Sequence, residues 1–343
     1  MLTNVKPFFS VIIAVYNQEK YISRAINSVI NQVFQDFELI IVNDCSTDDT
    51  GLFIEDFAKQ NKKIFIINHN KNESQLVANI DGVAAANGEY IIFLDADDYF
   101  TGDAFTLLYD SIKKNPEYDF YEFGYITQPA KEKVFPSFFG SDRFSAFFNK
   151  ENYPAHTFWN KVYNSLFLKK VFSYIERVYI KRAQDIYESI VIAYFSQRTM
   201  IINEIITNYS VGTGISTSDF DYSKYTEVVE SAKRTIDLVK NFLNKIGCEK
   251  DCNVLFLRRM NNSMYNYING IIKKKTISRE EINAVYNTYW KNYRNMYSLN
   301  KWMYMVIPIF YTSITLGRLY LFLGKMLNIT LRVCKNLCIG KMR

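Results

Sequence analysis

The chain has 343 residues, 48% of them hydrophobic, which suffices for one large domain with an appendage or for two domains and excludes a disordered polypeptide. Its formal net charge is +6, but seven Lys or Arg and no acid lie between Lys301 and Arg343, leaving −1 for everything before them. A main body without a basic excess lacks the electrostatic footprint of nucleic-acid binding, so no nucleic-acid partner is expected.

Residues 8–16, FFSVIIAVY, form a continuous apolar run of buried-strand type. The stretch 20–32 places Ile22, Ala25, Ile26, Val29 and Ile30 on one helical face. A strand over 37–44 (FELIIVND), a helix over 50–60, a strand over 63–68 (KIFIIN), a helix over 76–86 and a strand over 90–94 (YIIFL) complete the series. Strands apolar throughout and separated by helices predict an α/β fold, a mostly parallel sheet covered by helices on both faces. After about Val211 the pattern changes. A polar loop over 212–223 precedes helical patterns at 224–246, 251–273 and 278–297. The expected organisation is therefore a sheet domain over 1–211, a helical region over 212–300 and a basic tail over 301–343.

In parallel sheets ligands sit at the carboxyl ends of strands. Tyr16, Asn17 and Glu19 follow the first strand; Asn43, Asp44 and Ser46 end or follow the second. The fourth ends in GEYIIFLDADDYF, which gathers Asp95, Asp97 and Asp98. Carboxylates that close repel one another and are costly to desolvate unless something compensates them. Alternation in an extended chain puts Asp95 and Asp97 on one side, a pair of oxygen ligands suited to a hard divalent cation. Asp98 fits better as a cap for a helix opening at TGDAF. No G-x-G-x-x-G and no phosphate-loop pattern follows the first strand, which removes the main phosphate-binding device of a dinucleotide-dependent dehydrogenase.

The segments SVIIAVYNQEKYISRAINSVINQVFQDFELIIVNDCSTDDT and NGEYIIFLDADD, in that order and spacing, resemble the inverting nucleotide-sugar glycosyltransferases of family two, which have the Rossmann-like GT-A fold. The likeness is close over residues 8–100 and continues in fragments to about 196. It implies that Tyr16 and Asp44 hold the nucleobase, usually uracil, that Asp95 lies near the ribose and metal, and that Asp97 binds a Mn or Mg ion bridging the diphosphate. The donor-binding set expected from the strand ends and the resemblance together is Ala14, Val15, Tyr16, Asn17, Glu19, Asp44, Ser46, Asn79, Asp95 and Ala96. HTFWNKVYNSLFLKK at 156–170 resembles the family segment that shapes the acceptor side, here Trp159, Asn160 and Lys161. RAQDIYESIVIAYF at 182–195 matches the family's Glu-Asp followed by a helix, whose Asp is the catalytic base; this chain keeps Asp185 and has Gln184 in place of the Glu. Ala78 stands where the family commonly has Arg before Asn79, and Lys71 is a candidate replacement for that charge.

The chemistry is coherent without the family name. Departure of a nucleoside diphosphate develops negative charge that a metal can neutralise, and the attacking hydroxyl must lose its proton to a carboxylate on the opposite face, for which Asp185 is the candidate. A helix cap is the alternative role for Asp185. Direct attack with one base gives inversion, and the absence of Q-x-x-R-W favours single additions to a glycan or lipid-linked acceptor. Two other readings remain: a catalytically impaired sugar-nucleotide-binding partner protein, suggested by Gln184 and Ala78, and a nucleotidyltransferase, which should carry a Gly-rich loop where AVYNQEK stands.

The tail adds a location. Residues 302–317 carry no charge but are too few to span a bilayer, and Pro308 interrupts them. Arg318, Lys325 and Arg332 recur every seventh residue, with Lys335 near the same face, as in a helix that lies on an anionic membrane surface. Docking of that helix on the protein itself is the alternative. The expected place is the cytoplasmic face of the membrane, peripherally, or the cytoplasm. Five scattered cysteines, Cys45, Cys248, Cys252, Cys334 and Cys338, argue against a disulfide framework. With only His69 and His156 in the chain and neither beside the two C-x-x-x-C pairs, packing is expected there rather than zinc. The amino-terminal apolar stretch is too short and too strand-like for a signal peptide.

Overall fold

The computed structural model describes residues 6–136, 142–148, 156–213 and 225–248, together with Glu280. The chain divides into one compact unit of Met1–Ser218 with Arg234–Phe256 and another of Asp219–Lys233 with Leu257–Arg343. The expected helices at 251–273 and 278–297, apart from Glu280, and the basic tail lie outside the described residues.

The first half follows the apolar periodicity. β1 (Phe9–Val15), α1 (Ile22–Ile30), β2 (Phe37–Asn43), α2 (Thr50–Gln60), β3 (Ile64–Asn68), α3 (Gln75–Ala85) and β4 (Tyr90–Phe93) alternate as expected. β1 pairs in parallel with both β2 and β4, and β2 with β3. α1 buries Ile22, Ala25, Ile26 and Val29, the face its spacing marks out. These side chains join Val11, Ile13, Leu39, Ile41 and Ile92 in one apolar cluster.

One glycine fixes how closely β4 approaches β1. A Cβ on Gly88 would stand 2.5 Å from the Ser10 backbone nitrogen and 2.7 Å from the Phe9 carbonyl carbon. Only a residue without a side chain fits there. Gly88 N–H donates to Ser10 Oγ at 2.7 Å, so the close approach is also bonded.

Beyond β4 the sheet becomes mixed. β5 (Tyr99–Phe100), α4 (Ala104–Lys114), β6 (Phe120–Gln128), β7 (Lys133–Val134), α5 (Arg143–Phe148), β8 (Lys161–Asn164), α6 (Ser165–Phe172), α7 (Gln184–Phe195) and β9 (Thr199–Ser210) follow. The strand order is β3-β2-β1-β4-β8-β6-β9-β5, with β7 paired to β6. β8 enters antiparallel between β4 and β6, while β6 and β9 run parallel with register shifts around Gly124. α8 (Tyr225–Lys245) agrees with the helix expected over 224–246. Within the first unit it buries Ile236, Val239 and Leu243, and Thr235 Oγ1 donates to the Ala183 carbonyl at 3.3 Å, steadying the residue just before α7.

Candidate active site

The carboxyl ends of β1 and β2 are tied into one rim. Ala14 and Val15 end β1, and Tyr16 projects beyond them with 39% of its surface exposed. Asn17 turns the chain with φ 52°, a conformation asparagine tolerates, and its N–H donates to Ser46 Oγ at 3.0 Å. Its side-chain oxygen accepts from Thr47 N–H at 2.8 Å. Glu19 and Asp48 are reciprocally placed: the Glu19 N–H reaches Asp48 Oδ2, and the Asp49 N–H reaches Glu19 Oε2, both at 3.2 Å. The expected donor-side residues of the first two strands thus share a single bonded turn pair.

Asp44 lies deeper than its neighbours, 3% exposed. Its carboxylate accepts from the N–H groups of Glu73 at 2.7 Å and Ser74 at 2.9 Å, and it faces His69 Nδ1 at 2.7 Å. The other ring nitrogen of His69 meets Asp81, which also takes Arg177. The result is a rigid floor linking the end of β2 to α3. Asn79 is buried too, and its amide donates to Glu188 Oε1 on α7 at 3.1 Å. Ala78 is fully buried, and the exposed Lys71 faces Glu73 at 4.0 Å.

The turn after β4 collects the acids. Ligand oxygens of Asp95, Asp97 and Asp98 all lie within 4.8 Å of one another. Asp98 departs from the expected helix cap: Asp103, not Asp98, precedes α4, and Asp98 Oδ1 instead accepts the Ser210 N–H at 2.7 Å from the end of β9. Its second oxygen is buried and has no hydrogen-bond partner among the described residues. Burial, then repulsion from Asp97 and Asp185, pushes the Asp95 carboxyl up to about 7; burial, then Asp95, pushes Asp98 up to about 9. Three converging carboxylates, one with an orphaned oxygen, suit a hard divalent cation. Ala96, between the acids, is buried.

Arg24 was not visible as a site residue in the sequence. From α1 its Nη2 donates to the Asp97 carbonyl at 2.6 Å and to Ser210 Oγ at 2.9 Å, and its guanidinium lies 4.5 Å over the Tyr99 ring. Thr213 Oγ1 donates to Asp97 Oδ2 at 2.7 Å. The acid turn is therefore clamped between α1 and the end of β9.

Asp185 opens α7, as expected, and stands near the acid turn. It contributes to the raised proton affinity of Asp95, and its own carboxyl is pushed up by burial, with His156 and Lys161 opposing. Gln184 Nε2 donates to Gln75 Oε1 at 2.7 Å, and Gln75 Nε2 donates to Asp95 Oδ1 at 3.2 Å. Two neutral amides thus connect the start of α7 to the acids, and Gln75 carried no signal in the sequence. On the same helix the buried Glu188 carboxyl is pushed well above the usual carboxylate range, first by burial.

The expected acceptor-side triplet packs as a unit. Trp159 stacks on Tyr209 with rings 5.0 Å apart and 6° from parallel, while Tyr125 meets its edge. Asn160 is buried and accepts from Thr157 Oγ1 and from Lys161 Nζ. Lys161, buried 3.6 Å from Glu122, is pushed down to about 8 by the loss of solvent. Tyr209 faces the acid turn from β9, where Asp98, Asp95 and Asp97 add to the effect of burial in raising its hydroxyl.

Residues 10–174 match the family model described as Glycosyl transferase family 2. That stretch, just under half of the chain, is similar to a family 2 glycosyltransferase domain. Among relatives of this domain is the glycosyltransferase EpsJ of Bacillus subtilis, 34% identical over 129 residues that cover 38% of this chain and 37% of that one. Another is TuaG of Bacillus subtilis, 37% identical over 102 residues, covering 30% and 40%, whose name refers to teichuronic acid biosynthesis. The chain spans about two fifths of the length of these curated relatives. The S. aureus TarS 1–349 crystal structure superposes with TM-score 0.55 at 20% identity, covering 83% of this chain and 80% of that one. The same fragment in complex with UDP-GlcNAc gives TM-score 0.50 at 17% identity, covering 83% and 89%. The sheet domain shares the fold of TarS, the GT-A arrangement expected from its sequence.

Proposed function

We propose that the chain moves one sugar from a UDP-sugar to a hydroxyl of a glycan or lipid-linked acceptor, with inversion, in cell-surface polysaccharide biosynthesis. The observation that carries this reading is a carboxylate cluster with a separate carboxyl, Asp185, near enough to raise the proton affinity of Asp95 and joined to it through Gln184 and Gln75. Tyr16 and the bonded turns around Asn17 and Ser46 form the nucleobase side. Asp95, Asp97 and Asp98 would hold the Mn or Mg ion, whose charge would offset that developing on the departing diphosphate. Asp185 takes the proton of the acceptor hydroxyl as it attacks the sugar carbon. Trp159, with Tyr209 stacked on it, walls the acceptor side, while Asn160 and Lys161 brace that wall from beneath.

The test is UDP release from a panel of UDP-sugars with Mn or Mg, in the wild type and in Asp185→Asn. The substituted amide keeps the size of the side chain but cannot accept the proton, so transfer should fall roughly a hundredfold or more while UDP binding persists. Near-normal transfer in that variant would remove Asp185 as the base. A wild type that binds UDP-sugars and turns none over would instead favour the impaired binding partner.

The reading extends to the basic tail over 301–343, assigned to the anionic cytoplasmic membrane face. No helix among the described residues is long and apolar enough to cross a membrane. Deleting 301–343 should release the protein from anionic vesicles, and salt should weaken the intact chain's binding. Equal vesicle binding with and without those residues would refute it.

A further inference from the structure

Each transfer leaves one proton on the base, and that proton must depart before the next acceptor can be activated. Four titratable groups surround Asp185 electrostatically: Asp95 on the acid turn, Glu188 on α7, Lys161 on β8 and His156 just before β8. Three of them lead nowhere. Glu188 is buried against Asn79, Lys161 is buried among Thr157, Asn160 and Glu122, and Asp95 belongs to the acid cluster. His156 differs. Its Nε2 lies 3.6 Å from Asp185 Oδ2, and 43% of its side chain is exposed, so one ring meets both the base and solvent.

The placement is built in. The His156 carbonyl accepts from Ser189 Oγ at 2.9 Å, one helical turn beyond Asp185 on α7, so a single helix holds the base and anchors the ring beside it. That bond uses the main chain and survives any change of the His156 side chain.

Taking Asp185 as the base, as argued above, we propose that His156 is its proton exit. The acceptor oxygen loses its proton to Asp185 as the new C–O bond forms. The lone pair of His156 Nε2 then takes that proton from the carboxyl, giving an imidazolium beside a regenerated carboxylate. The imidazolium releases a proton to bulk water. No electrons change hands, and imidazole is the side chain that exchanges protons fastest near neutrality without help from its surroundings.

Two measurements test the exit. The chain has two histidines, so 15N-histidine NMR resolves His156 from His69, with His156→Asn giving the assignment. In Asp185→Asn the ring 15N resonances of His156 should move while those of His69 stay in place, because His156 alone loses a facing carboxylate. Unchanged His156 resonances overturn the pairing. For turnover, UDP release is measured with whichever donor of the panel the wild type uses fastest. His156→Ala and His156→Asn should both slow it about tenfold or more, with KM for the donor unchanged. Added imidazole should restore much of the His156→Ala rate, which a merely structural role would not allow. Wild-type rates in both variants, or no rescue by imidazole, overturn the exit while an inactive Asp185→Asn leaves the base standing. Activity retained in Asp185→Asn removes the base and the exit together.

Discussion

Asp98 offers the sharpest quantitative test of the acid cluster. In the unfolded chain its carboxyl ionises at about 3.8, whereas in the fold it is pushed up to about 9. A folded pKa above the unfolded one means that folding takes up a proton, so this group costs stability increasingly as pH rises above 4, until about 9. At pH 7 the gap of about 3.2 units sets a ceiling of about 4 kcal/mol, at roughly 1.36 kcal/mol per unit. Asp95 and Asp98, both pushed up and the second partly by the first, divide that cost, and about 2 kcal/mol is expected for Asp98. Asp98→Asn removes the charge while its amide oxygen can still accept the Ser210 N–H, the bond that holds the end of β9. Urea unfolding in EDTA at pH 5, 6, 7 and 8 should show the variant gaining on the wild type as pH rises, by about 2 kcal/mol at pH 7. Added Mn should stabilise the wild type and do much less for the variant. A variant less stable than the wild type at pH 8 in EDTA would refute the reasoning, because it would show that the carboxylate is stabilising without a cation.

Two further outcomes follow from the same geometry. Asp97→Ala should abolish the Mn-dependent part of UDP binding, measured by calorimetry with and without chelator, while the unfolding midpoint changes little; unaltered metal dependence would exclude Asp97 as a ligand. Gly88→Ala should cost about 3 kcal/mol, since the new methyl would meet β1 backbone that is not free to move, and full stability in urea would show that β1 and β4 can part cheaply.

The first hundred residues were legible because their strands are apolar throughout and their helices bury one face. α1 is the clearest case, its buried Ile22, Ala25, Ile26 and Val29 standing at helical spacing. The later strands were not legible, for a physical reason. β9 alternates partial, full and no burial without a fixed period, and its partner β6 shifts register around Gly124, so neither displays a clean face. The acid turn was visible as a cluster, but the role of Asp98 was not. A capping residue is recognised by a helix a few positions on, whereas Asp98 bonds to Ser210 at a distance of 112 residues in the chain. Arg24, Gln75 and the pairing of His156 with Asp185 are of the same kind: they depend on strand order, which no local spacing encodes.

That strand order has a consequence for how such chains diversify. Every strand on one side of the β4–β8 seam comes from residues 9–93, and every strand on the other side comes from residue 99 onward. The seam is held by three paired positions, Tyr90 with Asn164, Ile91 with Tyr163 and Ile92 with Val162. A recombination breakpoint between residues 93 and 99 therefore exchanges one whole half-sheet without interleaving its strands with the other. The bonded rim at the ends of β1 and β2 would be inherited intact, while Trp159, Lys161 and Asp185 arrived from a different parent. Chimeras joined there must match more than those three positions, because Arg24 with Ser210, Asn79 with Glu188 and Gln75 with Gln184 also bridge the two halves, and a new second half must present partners for each of them.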